Sequence, residues 1–339
     1  MRVIIDAMGG DNAPEAIVKG AVRARKELGV DITLVGRIED VEACLKNEGA
    51  NAGDFEIVDA RDVITMEDDP STATRRKKDA SMTVALNMVR DGKGDAVVSA
   101  GSTGALLTGA TLIVKRIKGI RRAAMAPVLP AGEHGIMLID CGANVECTAE
   151  YLLQFAYMGS FYAKKLMGIE KPRVGLLNVG TEDSKGGALQ HESFALLRQA
   201  HEEGRINFVG NVEGTGVFAG MADVVVTDGF TGNVLLKATE GAIKFMLKNL
   251  KGVFYKNTKN KLAAAVLKSD LNEMKKSLDV NEVGGTALVG ISKPVIKAHG
   301  SSDDSAIFSA VRQAINFVQA GVIGDITANI DYMKLKTEN

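Results

Sequence analysis

Short apolar strands that run straight into glycine-rich turns and then into helices recur along this chain. That repeat limits the fold more than any other feature. The stretch from Gly94 to Leu107 shows it best. A strand at 96–98 is followed by Ser99-Ala100-Gly101-Ser102-Thr103-Gly104 and then by an apolar helix at 105–114. A turn of this kind points several backbone N–H groups into one space at the positive end of a helix. The arrangement suits a phosphate or a developing oxyanion, because the donors are fixed and need no counter-charge. A tight strand–helix junction that needs small residues for packing accounts for the same residues equally well.

The unit also opens the chain. A strand at 3–5 ends at Asp6, a turn carries Gly9 and Gly10, and a helix runs to about 28 with Ile17, Ala21, Ala24 and Leu28 on one face. Asn12 or Ala13 would cap it, with Pro14 at its first position and Glu15 in its first turn. Further strands are predicted at 32–35, 55–58, 136–139, 174–177, 206–209 and 224–226. Helices are predicted at 39–47, 81–90, 148–167 and 188–201, from about 234, and from the turn at 299–304 to about 320. Residues 59–80 read as a long functional loop or lid. Pro127 and Pro130 mark 126–130 as an edge strand or extended arm, since proline donates nothing to a ladder. Alternating strands and helices predict an α/β fold: a mostly parallel sheet with helices on both faces, three layers in all. Ligands in such sheets sit outside the carboxyl ends of the strands. Here those ends gather the glycines with Asp6, Asp140, Asp228, Asn144, Asn178, Asn211 and Asn233. Residues 1–339 read as a single unit from which a basic helix pair, 244–280, protrudes.

At 339 residues the length suits two domains or one large α/β unit, and 46% hydrophobic residues supply an ample core. A net charge of −1 excludes a nucleic-acid binder by electrostatics. The three cysteines form no CxxC pair, which fits a reducing, cytoplasmic setting. The chain enters a strand at once, with no secretory leader, and no run approaches the roughly 18 apolar residues of a membrane span. Gly214-Thr215-Gly216-Val217-Phe218-Ala219 matches a dinucleotide pattern but leaves no room for the phosphate-capping helix before the next strand. No Walker A sequence occurs. The four histidines lack metal-ligand spacing, so no metal is expected. Asp68-Asp69 and Asp303-Asp304 read as a loop charge and a helix-start charge. Cys141 reads as a small buried cysteine rather than an acyl-accepting thiol. What remains is anion cradles, amides and one well-placed cation, Lys185. That set suits direct transfer to phosphate, which needs desolvation and positioning more than a strong base.

Seven blocks, taken together and in order, carry a resemblance. They are Asp6-Ala7-Met8-Gly9-Gly10-Asp11, Ser99-Ala100-Gly101-Ser102-Thr103-Gly104-Ala105, Asp140-Cys141-Gly142-Ala143-Asn144, Asn178-Val179-Gly180-Thr181-Glu182, Gly210-Asn211-Val212-Glu213-Gly214, Asp228-Gly229-Phe230-Thr231-Gly232-Asn233 and Lys297-Ala298-His299-Gly300-Ser301-Ser302. The set resembles the bacterial acyl-carrier-protein:phosphate acyltransferase family of phospholipid synthesis, the PlsX family, over nearly the whole chain. The resemblance implies transfer of a fatty acyl group from acyl carrier protein to inorganic phosphate, giving acyl phosphate for a membrane glycerol-3-phosphate acyltransferase. It also implies a homodimer, no redox cofactor, and a fold similar to phosphotransacetylase and isopropylmalate dehydrogenase.

On that reading Gly101, Ser102, Thr103 and Gly104, with Gly229, Thr231 and Gly232, cradle phosphate, and Lys185 pairs its charge. Asn233 or Asn211 holds the oxyanion. His191 or His299 protonates the leaving thiolate, or either is a structural polar residue. An acidic carrier protein calls for a basic docking surface, and Arg75, Arg76, Lys77, Lys78, Lys115, Arg116, Lys118, Arg121 and Arg122 are the candidates. Between 244 and 276 nine lysines stand against two acids. There Leu262, Ala263, Val266 and Leu267 form an apolar tip suited to an anionic membrane surface, or to a dimer-contact helix pair with a solvated lysine face. Two rivals stand beside this reading: an acyl-CoA:phosphate acyltransferase on the same fold, and a non-catalytic adaptor between carrier protein and membrane.

Overall fold

The computed structural model describes residues 1–131, 134–278 and 284–333. Its first half runs β1 (Arg2–Asp6), α1 (Glu15–Leu28), β2 (Asp31–Gly36), α2 (Ile38–Asn47), β3 (Glu56–Asp59), the one-turn α3 (Ala73–Arg76), α4 (Ser81–Arg90), β4 (Ala96–Ser99), α5 (Thr103–Gly109), β5 (Ala124–Ala126), β6 (Val128–Leu129), β7 (Ile136–Ile139) and α6 (Ala149–Leu166). There follow β8 (Arg173–Leu177), α7 (Ala188–Glu202), β9 (Asn207–Val212), the short α8 (Gly214–Phe218), β10 (Val224–Val226), α9 (Gly229–Tyr255), α10 (Thr258–Val266), α11 (Lys268–Ser277), β11 (Thr286–Val289), β12 (Val295–Lys297), α12 (Asp304–Ala320) and α13 (Val322–Ala328).

The strands form two sheets instead of the one that the alternation predicted. One has seven strands in the order β3-β2-β1-β4-β12-β11-β5, and the other has five in the order β6-β7-β10-β8-β9. All pairings are parallel except those of β11 with β12 and β5, and of β6 with β7. The predicted arm at 126–130 is the junction between sheets. Pro127 ends β5, an edge of the first sheet, and starts β6, an edge of the second. A ring that cannot donate to a ladder is tolerated at such an edge.

The helices cover both faces, and the central strands are buried on both sides, mostly by Val, Ile, Leu and Ala, with Thr33 and Met137 among the exceptions. One apolar cluster runs beneath both sheets and includes Val3, Ile139, Phe155, Val174 and Phe308. Within Asp304–Ala328 an 18-residue window reaches a mean hydropathy of 1.3, long and apolar enough to cross a membrane and contrary to the expectation of no such run. α12 is nonetheless a core helix: Ile307, Phe308, Val311, Ala314 and Phe317 are buried.

Three boundaries depart from the sequence reading. The long helix α9 starts at Gly229, five residues earlier than predicted, because Asp228 caps it there. Beyond Leu236 no residue of α9 is buried, and α10 has none either. The protrusion is therefore the outer part of α9 with α10 and α11, three helices rather than a pair; 279 and 280 lie outside the described residues. Strands β11 and β12 were not foreseen at all.

Candidate active site

Strands β1, β4 and β12 lie side by side, and the chain reverses its direction of travel across the sheet between β1 and β4. Crevices in open α/β sheets form at such switch points. Register aligns the chemistry. Ser99 pairs with Lys297, and Asp6 follows the Ile5–Val98 pair by one step. The Asp6 carboxylate accepts hydrogen bonds from Ser81 Oγ and Ser99 Oγ, each at 2.6 Å. Ser99 Oγ in turn accepts from the Gly101 N–H at 3.1 Å. Burial pushes the Asp6 carboxyl up, against the pull of the two hydroxyls. A Cβ on Gly9 would stand 2.4 Å from Asp6 Oδ2 and 2.9 Å from the Gly101 nitrogen, so only glycine fits between them. Ser102 caps α5 by accepting from the Ala105 N–H at 3.5 Å.

The second wall is built the same way. β7 leads into buried Asp140, whose carboxylate accepts from the N–H groups of Met125 (2.9 Å), Ala143 (3.2 Å) and Asn144 (2.7 Å) and from Asn144 Nδ2 (3.0 Å). Burial raises its pKa, and these four donors oppose the rise. The start of α9 is wedged against this loop. A Cβ at Gly232 would fall 1.9 Å from the Asp140 carbonyl oxygen, and one at Gly229 would fall 2.5 Å from that of Asn144. The Gly229 N–H donates to Asn144 O, the Gly232 N–H to Asp228 O, and the Thr231 N–H and hydroxyl to the Asp228 carboxylate. All three of these amides are thus occupied within the fold, and the two glycines are required by close packing.

Between the walls lies a cleft of about 430 Å³. From the first sheet come Asp11, Thr103, Lys297, His299 and Gly300; from the second side come Cys141, Gly142, Asn233, Leu236, Lys237 and Glu240. Asn233, Leu236, Lys237 and Glu240 share one face of α9 at helical spacing. Met66, from the 59–80 loop, lies over the rim near Gly300. Lys297 is 6% exposed, and its Nζ donates to Ala100 O at 3.2 Å and to Ala298 O. Burial holds its pKa down to about 8, although Asp6 and Asp11 pull it upward. His299 Nδ1 pairs with Ser301 Oγ at 2.9 Å, and burial, with the charge of Lys237 next, lowers its pKa. Burial drives the Cys141 thiol far above the usual range, which leaves it unreactive.

Of the predicted site residues, Thr103, Asn233 and His299 line this cleft, and Gly101, Ser102 and Gly104 form the turn around Thr103. Lys185, Asn211 and His191 are not among its lining residues. Lys185 and His191 are exposed, and Asn211 braces the loop after β8 by donating from Nδ2 to Glu182 O at 2.8 Å. Lys237 and Lys297 were missed as site residues. Their signal was faint: Lys297 closes the apolar run Val295-Ile296, and Lys237 stands one helical turn beyond Asn233.

Among the docking candidates, Lys77 is tied down by Val63 O and Asp68, each at 2.8 Å, and is not available to a partner. Arg116 holds Arg121 O, Arg121 reaches Glu150 at 3.1 Å, and Arg122 stacks on Tyr151. Arg75, Arg76, Lys78, Lys115 and Lys118 are exposed. At the protrusion Leu262 and Val266 are 64% and 84% exposed, and Ala263 and Leu267 are exposed beside them.

The profile of a family described as fatty acid synthesis protein matches residues 1–324. The chain belongs to that family. A phosphate acyltransferase from Oceanobacillus iheyensis is 48% identical to it over 332 residues, 98% of each chain. One from Bacillus cereus is 47% identical over 338 residues, 99% of this chain and all of the relative. As a member of the fatty acid synthesis protein family the chain is an acyltransferase. A phosphotransacetylase from Streptococcus pyogenes shares the fold, with a TM-score of 0.64 at 19% identity over 94% of each chain.

Proposed function

We propose that this acyltransferase moves a fatty acyl group from acyl carrier protein to inorganic phosphate, releasing acyl phosphate for phospholipid synthesis. The observation that carries the reading is the meeting of Thr103, Lys297, Lys237 and Asn233 in one cleft at the switch point between β1 and β4. A phosphate oxygen attacks the thioester carbonyl carbon, and the C–O bond forms as the carbonyl oxygen takes up negative charge. Asn233 Nδ2 and turn amides beside Thr103 stabilise that oxygen. The C–S bond then breaks, and the thiolate leaves and takes a proton. His299, at the rim, is the nearer of the two candidate histidines for that proton, and a thiolate needs little help near neutral pH. Asp6 and Asp140 act indirectly, by fixing the turns on the two walls.

Exposed Arg75, Arg76, Lys78, Lys115 and Lys118 would receive the acidic carrier protein. The lysine-ringed tip at Leu262, Ala263, Val266 and Leu267 would rest on anionic lipid, close to a membrane glycerol-3-phosphate acyltransferase that consumes the product. The protein would work as a homodimer in the cytoplasm. The test is mass detection of acyl phosphate after mixing the protein with acyl carrier protein thioester and phosphate. Equal rates with the matching coenzyme A thioester would favour the rival donor, and no acyl phosphate from either would defeat the reading.

A further inference from the structure

Resting on the phosphate acyltransferase reading, we propose that phosphate is held between two lysines, Lys297 of β12 and Lys237 of α9, which meet it from opposite walls of the cleft. Lys297 is a buried ammonium whose two recorded partners, Ala100 O and Ala298 O, are both neutral carbonyls. Among the described residues no carboxylate lies within 4.0 Å of it. An ammonium carries three donors, so two carbonyls leave one for a ligand. A buried ammonium with no carboxylate in contact is costly: Asp6 and Asp11 act on it only from beyond ion-pair distance, and burial still outweighs their pull. A small anion in the cleft supplies the missing contact.

Lys237 is the exposed half of the pair. Its side chain is 51% exposed, and its Nζ rests on Glu240 Oε2 at 2.9 Å, three residues along the same helix. Exposed pairs at this spacing are weak, so an incoming dianion competes well for the ammonium. The positive charge of Lys237 already bears on both Lys297 and His299. An anion between the two lysines relieves that repulsion, and it sits within reach of Asn233, one turn before Lys237 on the same face of α9. Lys185, exposed and outside the cleft lining, has no part in this site.

The experiment is steady-state transfer from acyl carrier protein thioester with inorganic phosphate varied, for wild type, Lys297→Met, Lys237→Met and Lys185→Met. Each of the first two variants is expected to raise the KM for phosphate about tenfold or more while moving the thioester KM by less than about twofold; Lys185→Met is expected to change neither. Unchanged phosphate KM in both Lys297→Met and Lys237→Met, in a wild type that makes acyl phosphate, overturns the two-lysine site and leaves the wider reading standing. A wild type that makes no acyl phosphate overturns the wider reading itself. If Lys297→Met does not fold, Lys237→Met decides alone, with phosphate-induced thermal stabilisation as the second readout.

Discussion

The Asp6 carboxylate and the Ser99 hydroxyl meet at 2.6 Å with both residues 1% exposed. The hydroxyl donates a hydrogen bond to Asp6 and accepts one from the Gly101 N–H. One buried acid at the end of β1 therefore fixes the conformation of the turn at the end of β4, 93 residues away in sequence.

Replacing that acid tests its structural weight. Asp6→Ala leaves the hydroxyls of Ser81 and Ser99 without their acceptor in a dry site, and is expected to cost about 2–4 kcal/mol in urea unfolding. Asp6→Asn keeps the volume but can accept with one oxygen only, so about half that loss is expected.

Gly232 and Gly241 lie nine residues apart on α9 and should respond with opposite signs. Alanine at Gly232 would drive a Cβ to within 1.9 Å of backbone, which must separate α9 from the Asp140 loop. A loss of at least about 3 kcal/mol, or no folded protein, is expected. Nothing lies within 4 Å of the same position at Gly241. There Gly→Ala is expected to stabilise by about 0.5–1 kcal/mol, read as a higher Tm.

Lys297 should trade stability for function. Its folded pKa, about 8, lies below the ordinary 10.5, so between those values the unfolded chain binds more protons and this residue makes stability rise with pH. Below pH 8 the charged form is held in the fold at a cost on the order of 3 kcal/mol. Lys297→Met is expected to melt higher than wild type at pH 7, with the gap narrowing as pH is raised toward 10. A variant that melts lower at pH 7 would mean that the ammonium is already compensated.

Docking charge should show itself through salt. Lys115→Glu with Lys118→Glu is expected to slow transfer from carrier protein severalfold at low ionic strength and to flatten its salt dependence. The same pair of changes should leave transfer from a coenzyme A thioester within about twofold. Arg121→Ala, which removes a contact to Glu150, is expected to act on stability by less than about 1 kcal/mol instead.

The layered fold and the turn after β4 were legible because both are local: an apolar run, a glycine turn and a helix start fall within a dozen residues. Helix Ser81–Arg90 was placed to the residue. The division into two sheets was not legible, since nothing around Pro127 says that β5 and β6 pair with different partners. β12 escaped notice because it has three residues, the last of them a lysine, and it pairs in parallel with β4, 198 positions away at Ser99 and Lys297. The lysines that line the cleft, Lys237 and Lys297, escaped notice for a similar reason. Lys185 stands in a conspicuous glycine-rich turn, whereas Lys297 looks like a polar strand end until the neighbouring strand seals it from water. Gly229 and Gly232 were read as part of a phosphate cradle; in the structure their amides are occupied within the fold, and close packing accounts for both glycines.

Helix α9 is anchored at one end only. From its seat at Gly232 to Tyr255 it extends roughly 35 Å, whereas Lys237 is about 7 Å from the same point. It is a lever with a gearing of nearly five to one. A sideways displacement of 5 Å at the lysine-rich end reaches the Lys237 backbone as about 1 Å, the scale on which a hydrogen bond is made or lost. A load at the far end of this rod would therefore reach Lys237 scaled down about fivefold.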